Sequence, residues 1–105
     1  MIVEKASTTH PQHAALLAPY RHQISAIDRE LIELLAKRFA IIAQVAELKE
    51  KHHIPPILED RVQEVLQKNA LFALEKGLDP DLIKQLWRLI IDASCQMELD
   101  KIQSC

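Results

Sequence analysis

Apolar side chains recur every three, four or seven residues along the first half of the chain. This spacing places them on one face of an α-helix, and the residues that carry it are Ile24, Ile27, Leu31, Leu34, Ile41, Val45 and Leu48. Pro19 suits the first turn of this helix, whereas Pro55 and Pro56 end it. The pattern predicts one helix of roughly 34 residues, over residues 19–52, with a length of about 50 Å.

Two shorter helices are predicted after the proline pair. One covers about residues 59–76, and Gly77 then suits the positive φ that often ends a helix. Asp79 is a typical N-cap, and a third helix follows over about residues 80–102. On the second helix the positions predicted to face inward are Val62, Val65, Leu66, Leu71 or Phe72, and Leu74. The apolar positions of the third helix are Leu82, Ile83, Leu86, Leu89, Ile90 and Ala93.

The predicted fold class is therefore all-α, with a very long, a medium and a long helix. Composition agrees, because a single glycine is too few for Asn-Gly hairpins, phosphate-binding loops or dinucleotide-binding turns. One 50 Å helix with two shorter companions leaves apolar surface uncovered, so we expect an intertwined homodimer. Residues 1–15 show no helical period and are predicted to be a flexible arm before a helical domain at 16–105.

Net charge, hydropathy and cysteine content indicate which classes of partner and which cellular compartment to expect. The formal net charge is −2, so no basic excess favours nucleic acid, and no apolar run approaches the roughly 20 residues of a membrane span. The first residues lack the apolar stretch of a signal peptide. Cys95 and Cys105 do not suggest a disulfide framework. The chain is expected to be cytoplasmic and to bind neither nucleic acid nor membrane.

Two cations fall within the apolar face of the first helix. Arg38 lies between Leu34 and Ile41, and Lys49 is eleven residues further on, which at 100° per residue is about 20° from eclipsed. An unpaired buried charge is very costly. Either carboxylates from a neighbouring helix pair with these cations, or the cations bind an anionic ligand.

Other polar residues are candidates for the same site. Ser94 and Glu98 lie four residues apart on one face of the third helix, where Glu98 is either the pairing anion or a site residue. Arg61 is close enough to the proline turn to fold back toward the first helix. Arg21 lies roughly 100° around the first helix from Arg38, so it would join such a pocket only in a dimer. For both arginines, an ordinary surface position is the alternative.

Over about residues 16–103 the sequence resembles the all-helical chorismate mutase family. The first-helix match covers residues 17–49. The matching residues are Arg21, Ile27-Asp28, Leu34-Leu35-Ala36-Lys37-Arg38, Lys49, Arg61, Gly77-Leu78-Asp79 and LWRLIIDAS at 86–94. The resemblance implies a homodimer of interlocked helices that binds the dianion chorismate and rearranges it to prephenate without cofactor, metal or covalent intermediate.

The resemblance also implies a role for each matching cation. Arg38 would hold one substrate carboxylate, Arg21 of the partner subunit would hold the other, and Arg61 would support the carboxylate end. Lys49 would bond the ether oxygen, on which negative charge develops as the C–O bond breaks. Ser94 is counted among the substrate-binding residues. Guanidinium groups bind carboxylates in bidentate fashion, which explains the arginines.

Two positions depart from the family pattern. Many members have glutamate after the second-helix arginine, bound to the ring hydroxyl, whereas this chain has Val62. A backbone group near Leu58 or Glu59 is one candidate to replace it. The position that often carries glutamine is Glu98, which donates a hydrogen bond to the ether oxygen only when it is protonated. We therefore expect activity to require neutral Glu98.

These departures leave three functions open. The first is chorismate mutase. The second is isochorismate-pyruvate lyase, a branch of the same fold that tends to be apolar at the Val62 position and forms salicylate and pyruvate. The third is a non-catalytic helical dimerisation or regulatory module whose inward cations are paired internally.

Overall fold

The computed structural model describes residues 10–103, and side chains as far as residue 101. This part of the chain folds into three α-helices: α1 (Pro11–Lys51), α2 (Glu59–Glu75) and α3 (Pro80–Gln103). The order of very long, medium and long helix confirms the predicted all-α class. Across the described residues, no helix combines the length and the apolar character that crossing a membrane requires.

The start of α1 differs from the prediction. The helix begins at Pro11 rather than Pro19, because a proline in the first helical position loses no intrahelical hydrogen bond. The first such bond runs from the Ala14 amide to the His10 carbonyl, at 3.0 Å. Pro19 therefore lies inside the helix. Of the arm predicted over residues 1–15, residues 1–9 lie outside the described residues and residues 11–15 are helical.

The end of α1 is a tight backbone turn centred on His53. This residue has a φ of 56°, in the left-handed region where glycine is the usual choice. The Ile54 amide donates to the Lys49 carbonyl at 2.8 Å, and the His52 amide donates to the Leu48 carbonyl at 3.0 Å. These bonds satisfy the last carbonyls of the helix before the prolines end it.

The connection between α2 and α3 follows the predicted chemistry. Gly77 has a φ of 74°, and the next amide, of Leu78, donates to the Ala73 carbonyl at 2.8 Å. The Asp79 carboxylate accepts a hydrogen bond from the Asp81 amide at 2.9 Å, as an N-cap should. The two helices pack against each other as a helical hairpin.

The chain divides into two compact units, residues 1–37 and 38–105. The core of the second unit is formed by Val62, Leu66 and Ile91, against which Val65, Trp87 and Cys95 pack. The described part of the first unit is the beginning of α1. Its large apolar side chains are 54–71% exposed at Leu16, Tyr20, Ile24, Ile27, Leu31, Ile32 and Leu34.

Several side chains predicted to face inward are exposed in the single chain. Val62, Val65 and Leu66 lie inward as predicted, whereas Leu71, Phe72 and Leu74 are exposed. Also exposed are apolar positions of the other helices, namely Leu82, Leu86, Leu89 and Ala93 of α3 and Ile41 and Leu48 of α1. Helical periodicity identifies the apolar face of a helix but not what covers it. For Leu71, Phe72 and Leu74 the predicted inward position does not hold within one chain, and the other exposed side chains are apolar surface that one chain leaves uncovered.

Candidate functional site

A cavity of about 350 Å³ lies in the second unit. Six of the seven site residues proposed from sequence line it: Arg38, Lys49, Arg61, Val62, Ser94 and Glu98. The remainder of its wall is mostly apolar, with Ile41, Ile42, Val45, Pro56, Leu58, Val65, Ile91 and Cys95. The fold therefore gathers side chains from all three helices and from the loop between α1 and α2 around one space.

Arg38 is oriented by a hydroxyl of α3. Its guanidinium donates from Nη1 to Ser94 Oγ at 2.8 Å, and Ser94 Oγ in turn donates to the Ile90 carbonyl at 2.9 Å. Ser94 is buried, and Arg38 is half-buried. A guanidinium has five N–H donors, so this contact fixes one edge of the group and leaves other donors for a ligand in the cavity.

Lys49 and Glu98 form an inward-facing ion pair. The Lys49 ammonium lies 2.9 Å from Glu98 Oε1, and the two side chains are only 15% and 5% exposed. The same ammonium donates to the main-chain carbonyl of Pro56 at 2.9 Å. Of the two alternatives left open by the sequence, pairing with a carboxylate of another helix is therefore observed for Lys49, and the pair also lines a cavity large enough for a ligand.

The contact between Lys49 and Glu98 is close but poorly directed. Glu98 Oε1 is buried and accepts no aligned hydrogen bond from the described residues, although the ammonium is within ion-pair distance. We interpret the contact as electrostatic attraction without hydrogen-bond alignment. Because a buried oxygen gains free energy from an aligned donor, Glu98 has unused capacity for a hydrogen bond with a ligand.

Arg61 is held on the surface of α2 by its own helix. Its side chain is 63% exposed, and Nη1 lies 3.0 Å from Glu64 Oε1. The pKa of Glu64 lies below its usual range, chiefly because Lys68 hydrogen-bonds and attracts the carboxylate, with Arg61 adding to the attraction. Arg61 is therefore at the cavity edge but is engaged by a neighbouring anion.

The remaining two sequence candidates are placed very differently. Val62 is buried and belongs both to the cavity wall and to the hydrophobic core. Arg21 lies in the first unit, is exposed, and is absent from the described lining of the cavity. The structure thus brings six candidates together in the second unit, and Arg21 belongs to the first.

Sequence reasoning missed two features of the cavity. The Pro56 carbonyl is a main-chain group, so no residue-type pattern marks it. Cys95, expected at a buried or interface position, was not among the site residues proposed from sequence, yet it forms part of the wall. Burial, followed by the nearby charges of Glu98 and Asp92, raises the pKa of its thiol. The neutral thiol therefore acts as a small apolar side chain here.

Metal ligation has no support among residues 10–103, where no group of three His, Cys, Asp or Glu side chains is placed to hold an ion. What the cavity offers is two inward cations, a buried hydroxyl and a buried carboxyl against an apolar wall. Such a site can bind carboxylates and stabilise negative charge on an oxygen atom.

Comparison with known proteins agrees with this chemistry. Residues 20–99 match the family described as chorismate mutase type II. The T-protein of Enterobacter agglomerans is 34% identical over 83% of this chain and 23% of its own length. The T-protein of Haemophilus influenzae is 38% identical over 69% of this chain and 19% of its own length.

A shorter relative is covered more fully. The 4-amino-4-deoxychorismate mutase of Streptomyces pristinaespiralis is 29% identical over 80% of this chain and 65% of its own length. This chain therefore spans less than a quarter of the two T-proteins and about two thirds of the shorter mutase. Because the family match covers most of the three-helix chain, the protein belongs to the chorismate mutase type II family.

Proposed function

We propose that the protein is a chorismate mutase that converts chorismate to prephenate. The observation that carries this proposal is the Lys49 ammonium, held inside a cavity whose wall also contains Arg38 and Glu98. The rearrangement breaks an ether C–O bond and forms a C–C bond within one molecule, so no atom enters or leaves. The site must therefore bind a dianion in a folded conformation and stabilise charge on the ether oxygen.

The side chains divide these tasks according to their chemistry. Arg38, fixed at one edge by Ser94, presents its other donors to a substrate carboxylate. Lys49 stabilises the ether oxygen as the C–O bond breaks, because its charge already lies in a partly buried site before the reaction begins. The apolar wall excludes water from the ring, which strengthens both interactions.

A homodimer completes the proposed site. The exposed apolar face at the beginning of α1 is contiguous along the helix, and a large exposed apolar patch indicates an interface. A second copy covers it and supplies Arg21 of the partner subunit to the second carboxylate. A cytoplasmic location, where a small biosynthetic metabolite is available, accords with this proposal.

The deciding experiment is an assay of the purified protein with chorismate, isochorismate and 4-amino-4-deoxychorismate in parallel. We expect prephenate from chorismate with kcat/KM of about 10⁴ M⁻¹s⁻¹ or more. Preferred rearrangement of the 4-amino compound would assign this chain the substrate named for its Streptomyces relative. Failure to turn over any of the three, with Arg38→Ala unchanged from wild type in ligand binding, would leave a helical dimer without catalytic function.

Isochorismate-pyruvate lyase is the second candidate because of Val62 and Leu58. Both line the cavity and provide no side-chain acceptor for the hydroxyl that chorismate carries on its ring. The two reactions share their cations, so products distinguish them. Salicylate and pyruvate from isochorismate, with only trace prephenate from chorismate, would establish the lyase.

Glu98 should impose a pH dependence on the mutase. Glu98 forms an ion pair with Lys49 in the cavity, and a carboxyl group donates to the ether oxygen only when it is protonated, so kcat/KM should fall as pH rises. Glu98→Gln keeps a donor at every pH and should flatten the profile. A Glu98→Gln enzyme with the same falling profile would show that another group titrates.

Glu64 should compete with the substrate for Arg61. Removing its charge with Glu64→Gln frees the guanidinium from the 3.0 Å contact. Exposed ion pairs contribute little, so KM should fall by no more than about twofold with kcat unchanged. Glu75→Gln, at the other end of the same helix, is the matched control for the loss of one surface charge. A wild-type KM in Arg61→Ala would remove Arg61 from the substrate-binding residues.

A further inference from the structure

We infer that the loop between α1 and α2, residues 52–58, positions the catalytic ammonium through the main-chain carbonyl of Pro56. The inference rests on the proposed function, because it concerns how Lys49 is presented to the reacting oxygen. Pro56 is then a positioning residue, acting through Lys49.

The loop is tied to Lys49 at two points. The Lys49 carbonyl accepts a hydrogen bond from the Ile54 amide at 2.8 Å, and its ammonium donates to the Pro56 carbonyl at 2.9 Å. The backbone and the side-chain end of one residue thus bind the same loop. A lysine ammonium is carried on a flexible chain of four carbons. A contact at the ammonium itself is therefore needed to fix the position of the charge.

The number of donors explains how this contact assists catalysis. An ammonium has three N–H groups. Pro56 accepts one of them, and Glu98 attracts the group from α3 at 2.9 Å. With two directions occupied by fixed partners, the ammonium cannot rotate freely, and a remaining N–H is available to a ligand in the cavity. This arrangement is a preorganised donor of the kind that stabilises a transition state.

The sequence of the loop keeps the carbonyl in place. Each proline ring fixes its own φ near −65°, and Pro55 is further restricted because another proline follows it. His53 begins the turn in the left-handed region, with a φ of 56°. The three residues leave the chain between α1 and α2 little conformational freedom, so the acceptor is in position before any ligand binds.

The inference can be tested with a variant in which the loop keeps its length but loses the conformational restriction of its prolines. In the double variant Pro55→Gly/Pro56→Gly the carbonyl remains but is no longer fixed, so kcat should fall about tenfold while KM stays within twofold. Pro80→Gly is the matched control, since Pro80 begins α3 and does not line the cavity. Equal loss of kcat in the Pro80 control would overturn the inference.

A double-mutant cycle separates positioning from a general effect on folding. If the loop acts through the ammonium, the two glycine substitutions should lower kcat in the wild type but not in a Lys49→Ala background. The same fold loss in both backgrounds would overturn the inference, because the loop would then act independently of Lys49. Should the double glycine variant fail to fold, Pro56→Ala takes its place in the cycle, with a smaller expected loss of about threefold.

The inference also has a readout that needs no turnover. Nitrogen-15 NMR of lysine ammonium groups should show a slowly exchanging Lys49 signal, assigned by its loss in Lys49→Ala, because the group is hydrogen-bonded and mostly buried. The signal should broaden in the double glycine variant and persist in Pro80→Gly. If no substrate is turned over but the signal behaves in this way, the proposed function fails and the positioning stands. If turnover is normal and the signal is equally protected in the glycine variant, only the positioning fails.

Discussion

Replacing Lys49 with alanine should lower kcat for prephenate formation about a thousandfold, the upper end of the cost of removing one preorganised donor from a site of developing charge. KM should change much less, because the ether oxygen carries little charge in the ground state. The effect is expected to be large because the ammonium is only 15% exposed. Water that fills the vacated space must reorganise to take over its role.

Lys49→Ala should also lower the stability of the fold, and this effect must be measured separately from the loss of catalysis. Lys49→Ala leaves the Glu98 carboxylate buried without its cation, and breaking a buried pair in this way is strongly destabilising. The double variant Lys49→Ala/Glu98→Gln removes the uncompensated charge. We expect it to recover most of the lost thermal stability and none of the lost kcat, as measured by circular dichroism melting and by initial rates.

Lys101→Ala is the control for loss of a lysine ion pair in the same unit. Lys101 lies 2.8 Å from Glu47 in a more exposed setting, where it lowers the pKa of that carboxyl group. Exposed pairs contribute little, so its kcat should match the wild type. A Lys49→Ala enzyme that retains more than a tenth of wild-type kcat would show that another group stabilises the ether oxygen.

Much of the fold could be predicted because helical periodicity and helix-ending residues act locally. The proline pair, Gly77 and Asp79 mark helix ends through their own backbone preferences. The placement of Arg38 and Lys49 within an apolar stripe likewise predicts that both point inward, since helix geometry fixes which residues share a face. The joint location of these cations with Ser94 and Glu98 in one cavity follows from the way the apolar faces pack.

The remaining features depend on contacts that residue types do not reveal. Arg61 contacts Glu64 because both side chains adopt rotamers that bring them together on the surface of α2. The acceptor for Lys49 is a backbone carbonyl, a group that every residue has. The beginning of α1 was misplaced because Pro19 is acceptable at two kinds of position, the first turn or a tolerated interior site. The apolar stripe at 24–34 indicates a buried face, but not whether the same chain or a second copy buries it.

Arg21 and Arg38 should complement each other between subunits. Arg21→Ala and Arg38→Ala homodimers should each lose at least about a hundredfold in kcat/KM, because each leaves one substrate carboxylate without its cation. In the proposed dimer a site combines Arg38 of one subunit with Arg21 of the partner subunit. A mixed dimer of the two variants therefore has one site with both arginines and one site with neither.

Mixing gives a quantitative expectation. Equal amounts of the two variants, unfolded and refolded together, should form mixed dimers in about half of all dimers, as random pairing in a two-fold assembly requires. One intact site in each mixed dimer then restores about a quarter of wild-type activity, from two nearly inactive parents. Arg29→Ala, an exposed arginine of the same helix, should retain full activity alone and is the control for surface charge.

The possible outcomes separate the two placements of Arg21. If Arg21 served a site in its own subunit, every mixed dimer would carry one defect in each site, and activity would remain at the parental level. If Arg21→Ala alone were fully active, the residue would not belong to the site in either arrangement.

Sedimentation of both variants must show dimers for the mixing to be valid, and monomers would refute the intertwined dimer itself. Restoration to a quarter requires that Arg21, an exposed residue near the beginning of α1, reaches a second copy of the chain. The mixing experiment therefore tests the dimer and the origin of the second carboxylate-binding cation together.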